Sequence, residues 1–268
     1  MNAWVLSDIH ANRAALDAAL AQVDADPAPI IILGDLLTYG PDPCAVLDRL
    51  SERSDVSHWV LGNHDELYLG LLAGTPPPSY HRVPDWLRAT IDWTCERIET
   101  DGAAAAWLRT LPFVREHVDN GILFAHANPF GNWRYVDRDE EHREAAGVLA
   151  RRGFSVGVFG HTHRGRLFTD PPRSRSPGPD RLVWGPRSHG TGTEVRILNA
   201  GSVGQPRNRT GTSTILRLRG TGRSGEASLS VLHYDVAKFL MRLDRMPLPE
   251  STVDRLGSFF AAAFATAG

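Results

Sequence analysis

Three short apolar runs alternate with helix-period segments at the start of the chain, and each run stops in a polar cluster. Residues 3–6, 30–33 and 58–61 read as strands, and residues 14–23 and 43–50 as the helices between them. The order βαβαβ constrains the fold strongly, because a parallel neighbour is reached only through a crossover long enough to hold a helix. A parallel sheet covered by helices follows. The clusters are Ser7-Asp8-Ile9-His10, Gly34-Asp35 and Gly62-Asn63-His64-Asp65. In open α/β sheets the carboxyl ends of the strands form the ligand crevice, so the three clusters are expected to converge.

The rest of the chain extends this plan. Residues 74–84, with Pro76-Pro77-Pro78, read as a loop, and 84–97 and 103–108 as helices that cap the first sheet. Runs at 113–118 and 122–125 flank Asp119-Asn120-Gly121, an Asn-Gly hairpin signal, which puts His126 at a strand end. A helix over 139–152 leads to a strand at 155–159 and to Gly160-His161-Thr162-His163. Further strands are expected at 165–168, 194–198, 213–218 and 227–234. Residues 170–193 are rich in Pro, Gly, Ser and Arg without periodicity and read as a surface loop insertion. Arg173, Arg175, Arg181 and Arg187 admit two readings of that loop, a phosphate-facing lid and a solvated segment. Residues 251–267 read as a helix with Ser251 at its N-cap and a packing stripe of Leu256, Phe259, Phe260 and Phe264. A chain of 268 residues can bury one substantial core, and a single domain over 1–268 is expected.

Composition excludes several classes. Hydrophobic residues make up 42% and charged residues 22%, as in ordinary globular proteins. Lys plus Arg number 29 against 31 for Asp plus Glu, a formal charge of -2, which offers no field for nucleic acid. Cys44 and Cys95 have no CxxC spacing, so neither a disulfide framework nor a thiolate zinc site is expected. No run reaches the ~20 apolar residues of a membrane span, and no charged-then-apolar leader precedes the first strand. A cytoplasmic location without membrane contact is the expectation.

Taken singly, each polar cluster reads as a turn or a hydrogen-bonded corner. Five of them in order, each after a strand, supply carboxylates, an amide oxygen and imidazoles with no thiolate. That donor set suits two borderline divalent cations.

The pattern Asp8-x-His10, Gly34-Asp35, Gly62-Asn63-His64-Asp65, His126 and Gly160-His161-x-His163 resembles the calcineurin-like metallophosphoesterase superfamily. Segments 7–12, 39–43 and 199–207 resemble its small prokaryotic phosphodiesterase branch more than the large protein phosphatases. The resemblance implies a four-layer α/β/β/α sandwich of two mixed sheets flanked by helices. It implies that Asp8, His10 and His163 hold one metal ion, that Asn63, His126 and His161 hold the other, and that Asp35 bridges them. Two divalent ions are implied, Mn²⁺ or Fe²⁺ first and Zn²⁺ or Ni²⁺ as alternatives, with water activated there for in-line attack on phosphorus. Gly34, Gly62 and Gly160 are expected where the backbone passes close to metal or substrate. His64 is implied to protonate, or stabilise charge on, the leaving oxygen, and Asp65 is a candidate partner that fixes its tautomer. Asn12, Tyr39 and Arg207 adjoin matched segments and are weaker candidates for substrate contact. Departures are modest: Ala127, Ala11 and Ala200 stand where relatives often carry Gly or Pro.

The function implied is hydrolysis of phosphodiester or phosphomonoester bonds in a small, nucleotide-derived substrate, the diester favoured. A competing reading is a scaffold of the same fold that binds protein partners, although such scaffolds typically have degraded ligands. A nuclease needs a positive track that the charge balance does not supply. His58, His81, His117, His142, His189 and His233 match no ligand position. Trp133, shortly after His126, reads either as a pocket wall or as core.

Overall fold

In the computed structural model the described residues are 1–170, 181–185 and 194–261. The first half runs β1 (Asn2–Leu6), α1 (Arg13–Ala25), β2 (Ile30–Ile32), α2 (Pro43–Ser51), β3 (Val56–Trp59), α3 (Asn63–Leu72), α4 (Asp85–Asp101) and α5 (Ala103–Thr110). The second half runs β4 (Glu116–Asp119), β5 (Ile122–Ala125), α6 (Asp139–Arg151), β6 (Val156–Phe159), β7 (Arg166–Asp170), β8 (Arg181–Trp184), β9 (Val195–Asn199), β10 (Thr214–Gly220), β11 (Gly225–Val231), α7 (Val236–Asp244) and α8 (Glu250–Ser258).

Two mixed sheets result, one in the order β3-β2-β1-β10-β11-β8 and the other β4-β5-β6-β9-β7. The βαβαβ start is parallel, β1 to β2 and β2 to β3, and β5, β6 and β9 form the parallel centre of the second sheet. Strand period explains the layering, since successive side chains leave opposite faces. Val5, Ile31, Phe124, Val158, Leu198 and Leu216 fill the space between the sheets. Their neighbours Leu6, Ile30 and Ile32 pack outward on Leu16, Leu20, Val46 and Leu47 of α1 and α2. On the far side Leu123, Phe159 and Ile197 pack on Ala145 and Leu149 of α6. The order helices, sheet, sheet, helix is the expected four-layer sandwich. β2 reads Ile-Ile-Ile because both of its faces are covered.

Several boundaries differ from expectation, each for a physical reason. The hairpin between β4 and β5 closes on Asn120 and Gly121, with φ of 50° and 78°, the twist that an Asn-Gly turn supplies; β4 begins only at Glu116. The 170–193 segment is not wholly irregular. Arg181–Trp184 forms β8, paired with β11, with Trp184 buried and Arg181 and Val183 exposed. That short alternation is concealed by the Pro, Gly and Arg around it. Arg173, Arg175 and Arg187 lie outside the described residues. α7 was not expected; Asp235 caps it by accepting from the Lys238 amide, and Phe239 and Leu243 bury its inner stripe. The last helix starts at Glu250 after Pro249, so Ser251 is an exposed helical residue and not a cap. Leu256 and Phe260 pack on Phe239, Leu243 and Tyr39, with the two phenyl rings 5.0 Å apart, while Phe264 lies outside the described residues. No helix among the described residues is long and apolar enough to cross a membrane.

Candidate metal centre

The loops that follow β1, β2, β3, β5 and β6 meet over the ends of the two sheets. Main-chain bonds join them: the amides of Asp8 and His10 donate to the carbonyls of Gly34 and Asp35, each at 3.0 Å, and the Gly160 amide donates to His126 at 2.7 Å. The approach is close enough to exclude side chains. A Cβ on Gly34 would lie 2.3 Å from the Gly62 nitrogen, and one on Gly62 would lie 2.2 Å from Asp35 Oδ1. Loop packing against loop already requires glycine at both positions, where the sequence suggested a close approach of the backbone to metal or substrate.

Asp8, His10, Asp35, His161 and His163 all adopt positive φ, at 54°, 48°, 56°, 63° and 58°. For non-glycine residues this costs of order 1 kcal/mol or more, and they keep it only where the surrounding structure overrides the local preference. The conformation turns five side chains inward together.

Asp8 and Asp35 are each held by one carboxylate oxygen and leave the other bare. Asp8 Oδ2 accepts from Ser7 Oγ at 2.6 Å and from the His161 amide at 2.9 Å, while Oδ1 lies 3.1 Å from His163 Nε2. Asp35 Oδ1 accepts from the His64 amide at 2.8 Å, while Oδ2 lies 3.3 Å from His126 Nε2 and 3.9 Å from His10 Nε2. The imidazoles are oriented in the same way. Backbone carbonyls of Leu37, Leu33 and Gln205 meet Nδ1 of His10, His126 and His163, at 2.8, 2.5 and 2.6 Å. With Nδ1–H donating outward, each ring in its neutral form points its Nε2 lone pair inward. His10 and His163 bring those lone pairs to 3.1 Å, and Asn63 Oδ1 lies 3.0 Å from His126 Nε2.

Lone pairs facing one another in a dry interior are costly unless a cation lies between them. Asp8 Oδ1, Asp35 Oδ2 and His161 Nε2 are buried without a hydrogen-bond partner. The ligand atoms form two groups, Asp8 with His10 and His163, and Asp35 with His126 and His161, and within each group all atoms lie within 4.8 Å of one another. The residues therefore fit divalent metal ions. Burial, reinforced by the charge of His126, holds His161 down to about 3, and burial with the nearby Arg207 holds His163 at about 4, so both are neutral donors at neutral pH. Burial also pulls His126 down, but the charge and hydrogen bond of Asp35 lift it to about 9. A cation bound there must displace that proton.

His64 lies beside this cluster, its ring 5.4 Å from that of His10. Its expected partner is corrected. Asp65 turns away to accept three backbone amides, those of Asp35 at 2.8 Å, Leu36 at 3.0 Å and Gly62 at 3.0 Å. The ring is held instead by Thr38, whose Oγ1 lies 2.9 Å from Nδ1 and 2.8 Å from the Tyr68 hydroxyl, while Tyr39 OH lies 3.2 Å from Nε2. When Tyr68 donates to Thr38 and Thr38 donates to Nδ1, the ring proton stays on Nε2, the nitrogen that faces the site. Burial keeps the ring neutral, pushing its pKa to about 3 against the pull of Asp35.

The three weaker candidates separate. Asn12 is fully buried, caps α1 by accepting from the Ala15 amide, and donates to the Gly204 carbonyl at 3.0 Å. It staples the 199–207 segment to α1 and has no face for a substrate. Tyr39 packs against the cluster, its ring 4.6 Å from that of His10. Arg207 stands at the rim over Phe259, with Nη2 donating to Gln205 Oε1 at 2.8 Å and Nη1 to the Tyr135 hydroxyl at 3.3 Å. Of the unmatched histidines, His58 and His117 stack on each other between β3 and β4, and His142 packs on Phe168. Sequence reasoning missed Thr38 and Tyr135. Thr38 sits within the Asp35–Tyr39 loop, and nothing in the sequence signals its pairing with His64. Tyr135 stacks on His161 at 4.3 Å, and its place in an aromatic-rich stretch after His126 was the only available hint.

Comparison with known proteins bears on the family and the fold. The model of the calcineurin-like phosphoesterase family matches residues 1–165. A symmetrical bis(5'-nucleosyl)-tetraphosphatase of Paracidovorax citrulli is 34% identical over 155 residues, which cover 56% of this chain and 51% of the relative. The chain thus spans about half the length of the tetraphosphatases it matches first. An uncharacterized protein of Methanocaldococcus jannaschii is 26% identical over 260 residues, covering 94% of this chain and 96% of the other. Among solved structures, a metallophosphoesterase from Sphaerobacter thermophilus superposes with a TM-score of 0.71 at 25% identity, covering 97% of this chain and 100% of the other. A hypothetical protein from Pyrococcus horikoshii OT3 shares the fold, with a TM-score of 0.68 at 19% identity over 95% of this chain and 97% of its own.

Proposed function

The chain belongs to the calcineurin-like phosphoesterase family, and from that premise we propose that it is a dinuclear-metal hydrolase of small phosphoesters, nucleotide-derived and diester in preference. Asp8, His10 and His163 hold one ion, Asn63, His126 and His161 the other, and Asp35 serves both. The observation that carries the proposal is Asp35 Oδ2, buried, unbonded and within 3.9 Å of an imidazole from each group. Mn²⁺ or Fe²⁺ suits a set of imidazoles, carboxylates and one amide oxygen without thiolate. Held by these residues, two divalent ions would supply charge neutralisation for the phosphate and a water acidified toward neutral pH.

The chain's own groups do the rest. Arg207 offers its guanidinium to the phosphate oxygens from the rim. His64, kept neutral with its proton on Nε2, donates to the leaving oxygen. The nucleotide preference draws on the relatives named bis(5'-nucleosyl)-tetraphosphatases.

The test is hydrolysis of bis-p-nitrophenyl phosphate beside p-nitrophenyl phosphate by chelated protein, with Mn²⁺, Fe²⁺, Ni²⁺, Zn²⁺ or Mg²⁺ restored one at a time. Activity that vanishes on chelation and returns with Mn²⁺ or Fe²⁺, faster on the diester, is the expected result. Protein that binds no ion and hydrolyses neither substrate would leave the scaffold reading in its place. His64→Ala is expected to keep its full metal content and to lose about 10²- to 10⁴-fold in kcat. Metal loss in that variant, measured by elemental analysis, would make His64 a support of the metal centre instead of the proton donor.

A further inference from the structure

The loop after β5 carries three large aromatic residues that do not enter the core. Phe130, Trp133 and Tyr135 are 36%, 42% and 46% exposed. Exposed aromatic surface on this scale usually marks a binding site when it is clustered. The loop holding it is tied down from within. Asn128 accepts from the amides of Phe130 and Gly131, at 2.7 and 3.1 Å, and its side-chain amide donates to the Arg134 carbonyl. Arg134 lies over the Phe130 ring at 4.8 Å and pairs with Glu144.

Two anchors fix where the loop stands. The buried Asn132 donates to the Leu61 carbonyl at 2.9 Å, two residues before Asn63. Tyr135 stacks on His161 with an interplanar angle of 26° and receives a hydrogen bond from Arg207. Asn63 and His161 belong to the same proposed ion position, and Trp133 lies on the short segment between the anchors Asn132 and Tyr135.

We infer that Trp133 is a specificity-determining residue, a stacking face for the base of a nucleotide whose phosphate occupies the metal centre. The inference rests on the phosphoesterase reading above. An indole held open on a braced loop gives up apolar burial in the free protein and recovers it only when a flat partner covers it. Aryl stacking of this kind accepts any base, because every base has a π-face. Tyr135, with one face on His161 and its hydroxyl on Arg207, positions the platform relative to the phosphate side and does not itself stack on the base.

The experiment is calorimetric titration of the Mn²⁺-loaded protein with AMP and, separately, with inorganic phosphate. Wild type is expected to bind AMP more tightly than phosphate. Trp133→Ala should weaken AMP about tenfold and leave phosphate unchanged, and Trp133→Phe, which retains a flat ring, should recover most of the loss. Equal AMP and phosphate affinities in wild type, or an AMP-to-phosphate ratio untouched in Trp133→Ala, overturns the stacking role while the metal centre stands. Absence of phosphate binding by the Mn²⁺-loaded wild type overturns the reading of the metal centre itself, and the stacking inference with it.

Discussion

Asp35→Asn is expected to retain little of either metal ion after chelation and reloading, and to hydrolyse phosphoesters on the order of 10³-fold more slowly than wild type. The substitution keeps shape and one hydrogen bond, because the amide oxygen can still accept from the His64 amide as Asp35 Oδ1 does at 2.8 Å. What changes is the other atom. Oδ2, bare and facing His126 and His10, becomes an NH₂ that presents protons where a cation should lie. The full negative charge that offsets two divalent ions is lost with it. Elemental analysis beside the kinetics checks the claim, and an Asn variant with two ions per chain would refute the bridging role of Asp35.

Asp65→Ala should produce the largest loss of stability among the site's neighbours, about 3–9 kcal/mol, from three buried amides left without an acceptor at about 1–3 kcal/mol each. For a chain of this size that is a fall in Tm of about 10 °C or more. Two of the three amides belong to Asp35 and Leu36, so the loop carrying the central carboxylate should loosen and metal affinity fall as well. Asp65→Asn should be intermediate, since its oxygen still accepts while its NH₂ confronts an amide. Thermal melts of both variants with and without Mn²⁺ measure this; an unchanged Tm for Asp65→Ala would show that the three bonds carry no weight. The same geometry separates the two acidic neighbours, since Asp35 damages metal binding directly and Asp65 damages it through the backbone.

The two results reflect different kinds of information. Periodicity is local, and it reports which face of a strand or helix is buried. It was therefore enough to place the parallel start, the helices on it, the Asn-Gly hairpin and the strand ends at which Asp8, Asp35, Asn63, His126 and His161 stand. The donor types in those clusters, together with the absence of thiolate spacing, indicated the class of ion. Where the local signal was weak or masked by composition, as in β8 and α7, it was missed.

Which atom meets which was decided by tertiary contacts. His10 Nε2 and His163 Nε2 come together across 153 residues, and Asp35 meets Asp65 across 30. Adjacency in sequence suggested Asp65 as the partner of His64, but the first turn of α3 points the two side chains apart, and Thr38 arrives from another loop. Asn12 adjoins a matched segment yet is consumed as a helix cap. The positive φ values of five candidate ligands run against the preference of each residue type, so they arise only once the loops are packed. By itself the sequence determined the parallel sheet covered by helices, the strand ends and the donor chemistry, because these follow from side-chain polarity at local spacing, while the four layers entered through the family resemblance. The bare oxygens, the inward lone pairs, the anchoring of His64 and the aromatic rim depend on how separate loops approach one another, and only the folded chain decides that.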